Sequence, residues 1–413
     1  MLSHSICADY VIIGAGILGL SVARELVQVH PHANIVIVEK EKQVGLHASG
    51  RNSGVLHAGI YYKNDSLKAK FCLQGSRLLA AYCDEYHLPI ARTGKLILPG
   101  KKADDPALQA LYQRAVVNGA SVHLLDAGEL RKLEPEVDGN IASAIFSPQT
   151  AVVDPTAILS HLHQHLSQAG VRFLFNAGCS DIHVKDKQLR AGKQLISYGH
   201  LFNTAGLHAD IIAKACGVDE RYSMIPFKGL YYELKPNSSI RINHLLYPLP
   251  EMNIPFLGIH FTKSITGKIY VGPTAIPALG REHYQGLRGI KLMEAANTLS
   301  TLAGQYWHNR QGFRTYTHAE IFRFIKSSFV KSARTLVPRL QAHDFIRSEK
   351  VGIRAQLFDH VNKELVMDFM VRNTENETHV LNAVSPAFTS AFSFSRFIVK
   401  EALHTKPVTD LVC

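Results

Sequence analysis

Residues 10–20, Tyr-Val-Ile-Ile-Gly-Ala-Gly-Ile-Leu-Gly-Leu, constrain the fold of this chain more than any other stretch. Tyr10 to Ile13 is a short apolar run suited to a buried parallel strand, and Ser21 to Val29 has the mixed pattern of a helix. Between them stand Gly14, Gly16 and Gly19. The first allows a tight turn, the second lets backbone approach a pyrophosphate, and the third lets helix and strand pack closely. A pyrophosphate at such a junction meets the free N–H groups and positive dipole end of the helix.

A second apolar run, Ile35 to Val38, leads into Glu39 and Lys40, and Glu39 follows Gly19 by twenty residues. An acid at that spacing accepts hydrogen bonds from ribose hydroxyls and disfavours a 2′-phosphate, so NADP is not expected. The bland alternative is an ordinary βαβ turn, but strand, glycines, helix, strand and acid in register favour a dinucleotide site.

At 413 residues the chain exceeds the usual size of one core, so two domains are expected. No window approaches the roughly 20 apolar residues of a membrane span. Nine residues before the first strand are too few for a leader, and the expected location is cytoplasmic, at most peripheral on the inner face of a membrane. The six cysteines include no C-x-x-C pair and read as reduced, structural thiols. His161, His163 and His165 alternate along a helical stretch, where positions two apart diverge, so no metal site is expected. The net charge is +11, and residues 281–350 carry twelve Lys or Arg against five Asp or Glu. Such a surface suits an anionic partner, or is simply a solvated face. No RNA-binding signature accompanies it, and no nucleic-acid partner is expected.

Along the chain, the patterning predicts helices over 66–87, 106–118, 126–133 and 154–168, with strands at 96–98 and 171–175. Leu201 to Asp210 reads as a strand ending at an Ala205-Gly206 turn before a helix, a second junction placed to face the same cofactor. Residues 227–234, 255–261 and 268–272 read as antiparallel strands, 287–340 as mostly helical, 379–382 as a strand, and the chain from about 389 as a final helix. The segment from Gly45 to Gly59 is dense in small residues and fits a backbone lying against a flat ligand.

Several blocks together resemble the FAD-dependent L-2-hydroxyglutarate dehydrogenases of the D-amino-acid-oxidase-like superfamily. The most specific is 51–62, Arg-Asn-Ser-Gly-Val-Leu-His-Ala-Gly-Ile-Tyr-Tyr, followed by Ser-Leu-Lys-Ala-Lys at 66–70. Further matches begin at Gly94 (Gly-Lys-Leu), Gly258 (Gly-Ile-His-Phe-Thr), Val271 (Val-Gly-Pro-Thr-Ala-Ile), Gly352 (Gly-Ile-Arg-Ala-Gln) and Asn382 (Asn-Ala-Val-Ser-Pro-Ala). Where that family commonly carries His-Asn-Ser-Gly, this chain has Arg51.

The resemblance implies FAD and oxidation of a 2-hydroxy acid to a 2-oxo acid. It implies an α/β fold: a discontinuous Rossmann-like FAD-binding domain (1–90, 151–225, 346–413) with a mixed, largely antiparallel α+β substrate domain (91–150, 226–345). Cofactor contacts are then expected from Gly14, Gly16, Gly19, Glu39, Lys40, Ser49, Arg51, Asn52, Ser53, Ala205, Gly206, Gly352 and Pro386. Such oxidation needs a base, for which His57 and His260 compete, because the unperturbed histidine pKa of about 6.5 suits that role. It also needs cationic or hydroxyl donors for carboxylate, and Arg354, Lys228, Tyr231 and Tyr61 are candidates. The electron acceptor is expected to be a quinone or oxygen. The basic, Phe- and Ile-bearing stretch around 321–334 fits shallow contact with an anionic membrane. Another 2-hydroxy acid, an amino acid or glycerol 3-phosphate stays open as substrate, and an NAD-linked dehydrogenase is the remaining alternative.

Overall fold

The computed structural model describes residues 5–99, 105–218, 220–250, 257–323 and 325–404. The chain divides into two compact units, one of 1–52, 155–225 and 355–413, the other of 53–154 and 226–354. The resemblance implies that 53–90 belong with the nucleotide-binding segments. In the structure Val55, Ala58, Ile60 and Tyr61 are instead part of a buried cluster with Ile97, Leu111, Ile145 and Tyr247 of the second unit.

The first unit is built on a sheet whose central strands are parallel. Ile6–Ile13 lies between Gln194–Asn203 and Ile35–Val38, and Arg172–Leu174 follows at the edge. Glu377–Asn382 pairs in parallel with the end of Gln194–Asn203. Strands buried on both faces read as continuous apolar runs, and Ile35–Val38 is buried at all four positions. Helices Ile17–Val29, Pro155–Gln168, Ala209–Ala215 and Ala387–His404 complete the unit. The first helix starts four residues before the Ser21 expected from its pattern, because Ile17, Leu18 and Leu20 are all buried and read as undifferentiated apolar sequence.

The second unit carries a mostly antiparallel sheet, ordered Phe345–Asp359, Tyr222–Leu234, Ile269–Gly272, His260–Lys263, Leu245–Pro248, Lys95–Leu98, Ser143–Ser147 and His123–Asp126. The unit boundaries fall inside the first two of these strands. Lys95–Leu98 pairs in parallel with Leu245–Pro248, in the register Lys95↔Leu245 and Ile97↔Tyr247. The alternation along each strand sorts the two faces. Leu96, Leu98, Leu246, Phe261 and Val271 turn one way, into a core shared with Phe329, Val330 and Val337. Lys95, Ile97, Leu245, Tyr247 and His260 turn the other way. A small sheet of Val55–Leu56, Ala151–Val153 and Ile90–Ala91 anchors the loop that carries His57.

Residues 255–256 and Phe324 lie outside the described residues, and the strand expected at 255–261 is found as His260–Lys263. The region 287–340 is helical over Leu292–His308, Phe313–Arg323 and Lys326–Ala333. Among the described residues no helix is long and apolar enough to cross a membrane.

Candidate functional site

In the first unit, the turn after strand 6–13 opens a cavity of about 250 Å³. Gly14, Gly16, Glu39, Lys40, Ser49, Ala205 and Gly206 line it, so seven of the expected cofactor residues share one wall. Gly14 has φ of 101°, a conformation that L side chains rarely adopt, and a Cβ there would lie 2.8 Å from the Thr204 carbonyl oxygen. A Cβ on Gly19 would lie 1.9 Å from the Gly14 oxygen, which is the close helix–turn contact expected of a third glycine. At Gly16 a Cβ would come within 2.9 Å of Ser49 Oγ. That hydroxyl accepts from Ile17 N at 2.9 Å, capping the first helix from 32 residues away in place of a local capping side chain.

Glu39 is nearly buried, and its carboxylate accepts from Ala15 N at 2.8 Å and from Glu41 N at 2.9 Å. Each carboxylate oxygen keeps a further lone pair for a ribose hydroxyl. Lys40 Nζ lies 2.5 Å from Glu41 Oε1 and 2.8 Å from His47 Nε2. Arg51 is exposed and donates from Nε to the Leu46 carbonyl, while Asn52 Nδ2 donates to the Ser49 carbonyl at 2.6 Å. Both hold the shape of the loop and neither lines the cavity. Ser53 Oγ accepts from Val55 N at 3.5 Å. Buried Pro386 accepts through its carbonyl from Ser390 N at the start of the last helix, and Gly352 is half-buried on the strand 345–359; neither lines the cavity. The glycine cradle, the acid and the helix start at Gly16, capped only from the distant Ser49, fit a dinucleotide such as FAD.

In the second unit, the polar face of the sheet gathers a different chemistry. His260 is buried, and its ring stacks on Tyr247 with centroids 4.1 Å apart. Its Nδ1 lies 2.8 Å from the Gly258 carbonyl oxygen. A carbonyl only accepts, so Nδ1 carries the proton and Nε2 presents its lone pair. Burial pushes the His260 pKa down to about 3, with Arg354 and Lys95 adding to the effect and the Gly258 contact opposing it. His57 is likewise pushed down to about 3, chiefly by burial, then by Lys95 and by His260. The unperturbed value assumed from sequence therefore does not hold at either position: both imidazoles are neutral at physiological pH because neither can be charged without solvent and beside a cation.

Tyr231 is buried, and its hydroxyl is pushed up by burial against an opposing pull from Arg354. Arg354 also acts on Tyr247 and His260, which places its charge at the histidine end of this face. Tyr61 is buried beneath Lys95, whose Nζ stands 4.7 Å from the centre of its ring. Lys228 is elsewhere. It lies three positions from Tyr231 on one strand, hence on the other face, and its Nζ is 3.5 Å from His283 Nε2.

Three residues of this cluster escaped the sequence reading. Lys95 is fully buried, Tyr247 nearly so, and Lys350 stands over the Tyr270 ring at 4.6 Å. Lys95 did leave a trace, as a lone cation in the apolar run Lys-Leu-Ile-Leu. Lys350, Gly352 and Arg354 share a strand face by their spacing of two, but nothing in the sequence shows that this stretch is a strand.

The DAO family model, described as FAD dependent oxidoreductase, matches residues 9–400. An L-2-hydroxyglutarate dehydrogenase of Indibacter alkaliphilus is 34% identical over 406 residues, covering 95% of this chain and 98% of the relative. A protein of the same name from Escherichia coli is 33% identical over 404 residues, covering 95% and 92%. Among solved structures, an L-alpha-glycerophosphate oxidase from Mycoplasma pneumoniae with FAD bound superposes with a TM-score of 0.74 at 21% identity, covering 97% of this chain and 94% of the other.

Proposed function

The chain belongs to the DAO family of FAD-dependent oxidoreductases, and we propose that it oxidises L-2-hydroxyglutarate to 2-oxoglutarate. The observation that carries the reading is the gathering of a neutral, correctly protonated histidine and cationic side chains on one buried sheet face. Its support from outside the site is the 34% identity along 95% of the chain to a dehydrogenase named for this substrate. The first unit is the FAD-binding body and the second the substrate body. Bound FAD supplies a two-electron acceptor for the hydrogen on the hydroxyl-bearing carbon.

His260 is the base, since with Nδ1 held by Gly258 its Nε2 carries the lone pair. It accepts the hydroxyl proton as C2 is oxidised, and His57 keeps the neighbouring volume uncharged. Arg354 holds a carboxylate, with Tyr231 beside it. Tyr61 closes the Lys95 end. An amino-acid substrate would bring an ammonium against Lys95, Lys350 and Arg354, so this face favours a hydroxy acid over an amino acid.

A quinone-type acceptor, met at an anionic membrane surface, is the finer reading. Leu292, Met293, Trp307, Ile321, Phe322 and Ile325 are each more than half exposed, and Lys291, Arg310, Arg314, Arg323 and Lys326 stand among them in the sequence. Of the stretch singled out from sequence, only Phe329 is taken into the core, while Ile321, Phe322 and Ile325 stay outside it and Phe324 lies outside the described residues. Exposed apolar side chains interleaved with cations combine shallow burial with headgroup attraction. The substrate reading is tested by reduction of the bound flavin with candidate acids under anaerobic conditions.

A further inference from the structure

Lys95 is the most unusual residue of the second unit. Its side chain has no exposed surface, and its Nζ is sealed without a hydrogen-bond partner among the described residues. A buried ammonium normally finds a carboxylate, because desolvation alone costs several kcal/mol per ion. Among the described residues no acidic side chain takes part here. The ammonium rests instead between two aromatic rings, 4.7 Å from the centre of Tyr61 and 5.3 Å from that of Tyr247.

The residue is held rigidly. Its strand pairs with Leu245–Pro248 on one side and with Ser143–Ser147 on the other, Lys95 opposite Leu245 and Ser147. Sheet alternation then commits the side chain to the face that carries Tyr247 and His260. The groups around it come from each element packed there. The loop after Val55–Leu56 brings His57, Tyr61 and Tyr62, the helix Leu67–Glu85 brings Cys72, and the remaining strands bring Tyr247, His260 and, beyond it, Arg354. None is an anion at neutral pH: burial pushes Cys72 up to about 12, and the tyrosines rise too. The ammonium is a preformed, uncompensated positive charge covered by the Tyr61 and Tyr247 rings, so an anion reaches it only as those rings part.

We propose that Lys95 is the second anion anchor of the substrate site, its ammonium taking one carboxylate of the 2-hydroxy acid while Arg354 takes the other. The inference rests on the substrate reading above and deepens it, since two separated anchors select a dicarboxylate over a monocarboxylate. It carries a consequence for catalysis. Lys95 depresses both His57 and His260, so a carboxylate bound at its ammonium cancels that influence and raises the proton affinity of the base when substrate is present. Lys95 is thereby a binding residue that tunes the base through its charge.

The test is binding of 2-oxoglutarate to the holoenzyme, by calorimetry and by perturbation of the flavin spectrum, from pH 6.5 to 9.5, for wild type, Lys95→Arg and Lys95→Met. Burial lowers the Lys95 pKa to about 8. Wild-type affinity should be constant at the acid end and fall about tenfold per pH unit above that value as the anchor loses its proton. Lys95→Met should weaken binding about ten- to hundredfold and abolish the alkaline limb, with no loss of thermal stability, because an unpaired buried cation is replaced by an apolar chain of similar length. Lys95→Arg should bind without the limb, since arginine stays charged throughout.

Wild-type affinity and an intact limb in Lys95→Met, or a limb that persists in Lys95→Arg, overturn the role. So does a Lys95→Met protein of lowered melting temperature and unchanged affinity, which marks a purely structural cation. If wild type fails to bind 2-oxoglutarate, the substrate reading fails, and the same comparison is run with the oxo product of whichever acid reduces the flavin. An unchanged affinity there overturns the anchor independently of the substrate.

Discussion

The pH dependence of kcat/KM follows directly from the two buried histidines. A base must be unprotonated to accept the hydroxyl proton, so the acid limb of the profile reports its pKa in the free enzyme. If that base had the ordinary histidine value of about 6.5, only about 3% would be active at pH 5, and kcat/KM would drop about thirtyfold between pH 8 and pH 5. His260 is held at about 3. At pH 5 about 99% of such a group remains neutral, so no limb is expected over this range. The sign follows from burial: both desolvation and the neighbouring Arg354 and Lys95 charges disfavour the imidazolium, and lowering the pH must work against all three. Stopped-flow flavin reduction under anaerobic conditions, at substrate concentrations far below saturation, measures the quantity without interference from the electron acceptor. A wild-type limb centred near 6.5 that disappears in His260→Gln would refute the electrostatic account of the site, because it would show a solvated, ordinary histidine where the structure has a sealed one.

Arg354→Ala should lower kcat/KM for L-2-hydroxyglutarate about ten- to hundredfold through loss of a charge-assisted contact of about 1.5–3 kcal/mol, with the flavin content unchanged; full activity in steady-state assays would exclude it as an anchor. Gly16→Val should purify with little FAD, since its Cβ displaces Ser49 and the added bulk stands on the wall of the cavity; stoichiometric flavin in its absorbance spectrum would count against the cradle. His260→Gln should keep its flavin but lose most of the rate of flavin reduction, whereas His57→Gln should lose less; the reverse order assigns the base to His57. Sedimentation with liposomes should require anionic lipid and weaken with salt; a protein that stays in the supernatant at low salt, with quinone-analogue reduction untouched by Lys326→Glu and Lys331→Glu, removes the membrane reading.

The legibility of this chain in its sequence is uneven, for physical reasons. Around Gly14, Gly16 and Gly19 every relevant interaction is local or spans one βαβ unit, so spacing alone locates the turn, and the structure places Glu39, Ser49, Ala205 and Gly206 on the same cavity. Helix Leu67–Glu85 was readable because its periodicity is strong and Ser66 caps it by accepting from Ala69 N. The strand Phe345–Asp359 was missed: Ile-Arg-Ser-Glu-Lys-Val alternates poorly and its first half is largely exposed. With it went Lys350, and the sense in which Arg354 and Gly352 share a face. Lys95 and Tyr247 become neighbours through a parallel pairing of strands 150 residues apart, a relation no local pattern encodes. Lys228 was misplaced for the opposite reason, since its proximity to Tyr231 in sequence hides the alternation that sends the two to different faces.

The most direct measurement is anaerobic titration of the purified flavoprotein with L-2-hydroxyglutarate, in parallel with D-2-hydroxyglutarate, L-lactate and glycerol 3-phosphate, following bleaching of the flavin absorbance. One equivalent of L-2-hydroxyglutarate should reduce the flavin fully and release one equivalent of 2-oxoglutarate, with the D enantiomer inert and the monocarboxylate L-lactate slow. Bleaching by glycerol 3-phosphate or L-lactate, with L-2-hydroxyglutarate leaving the oxidised spectrum unchanged, would contradict the account.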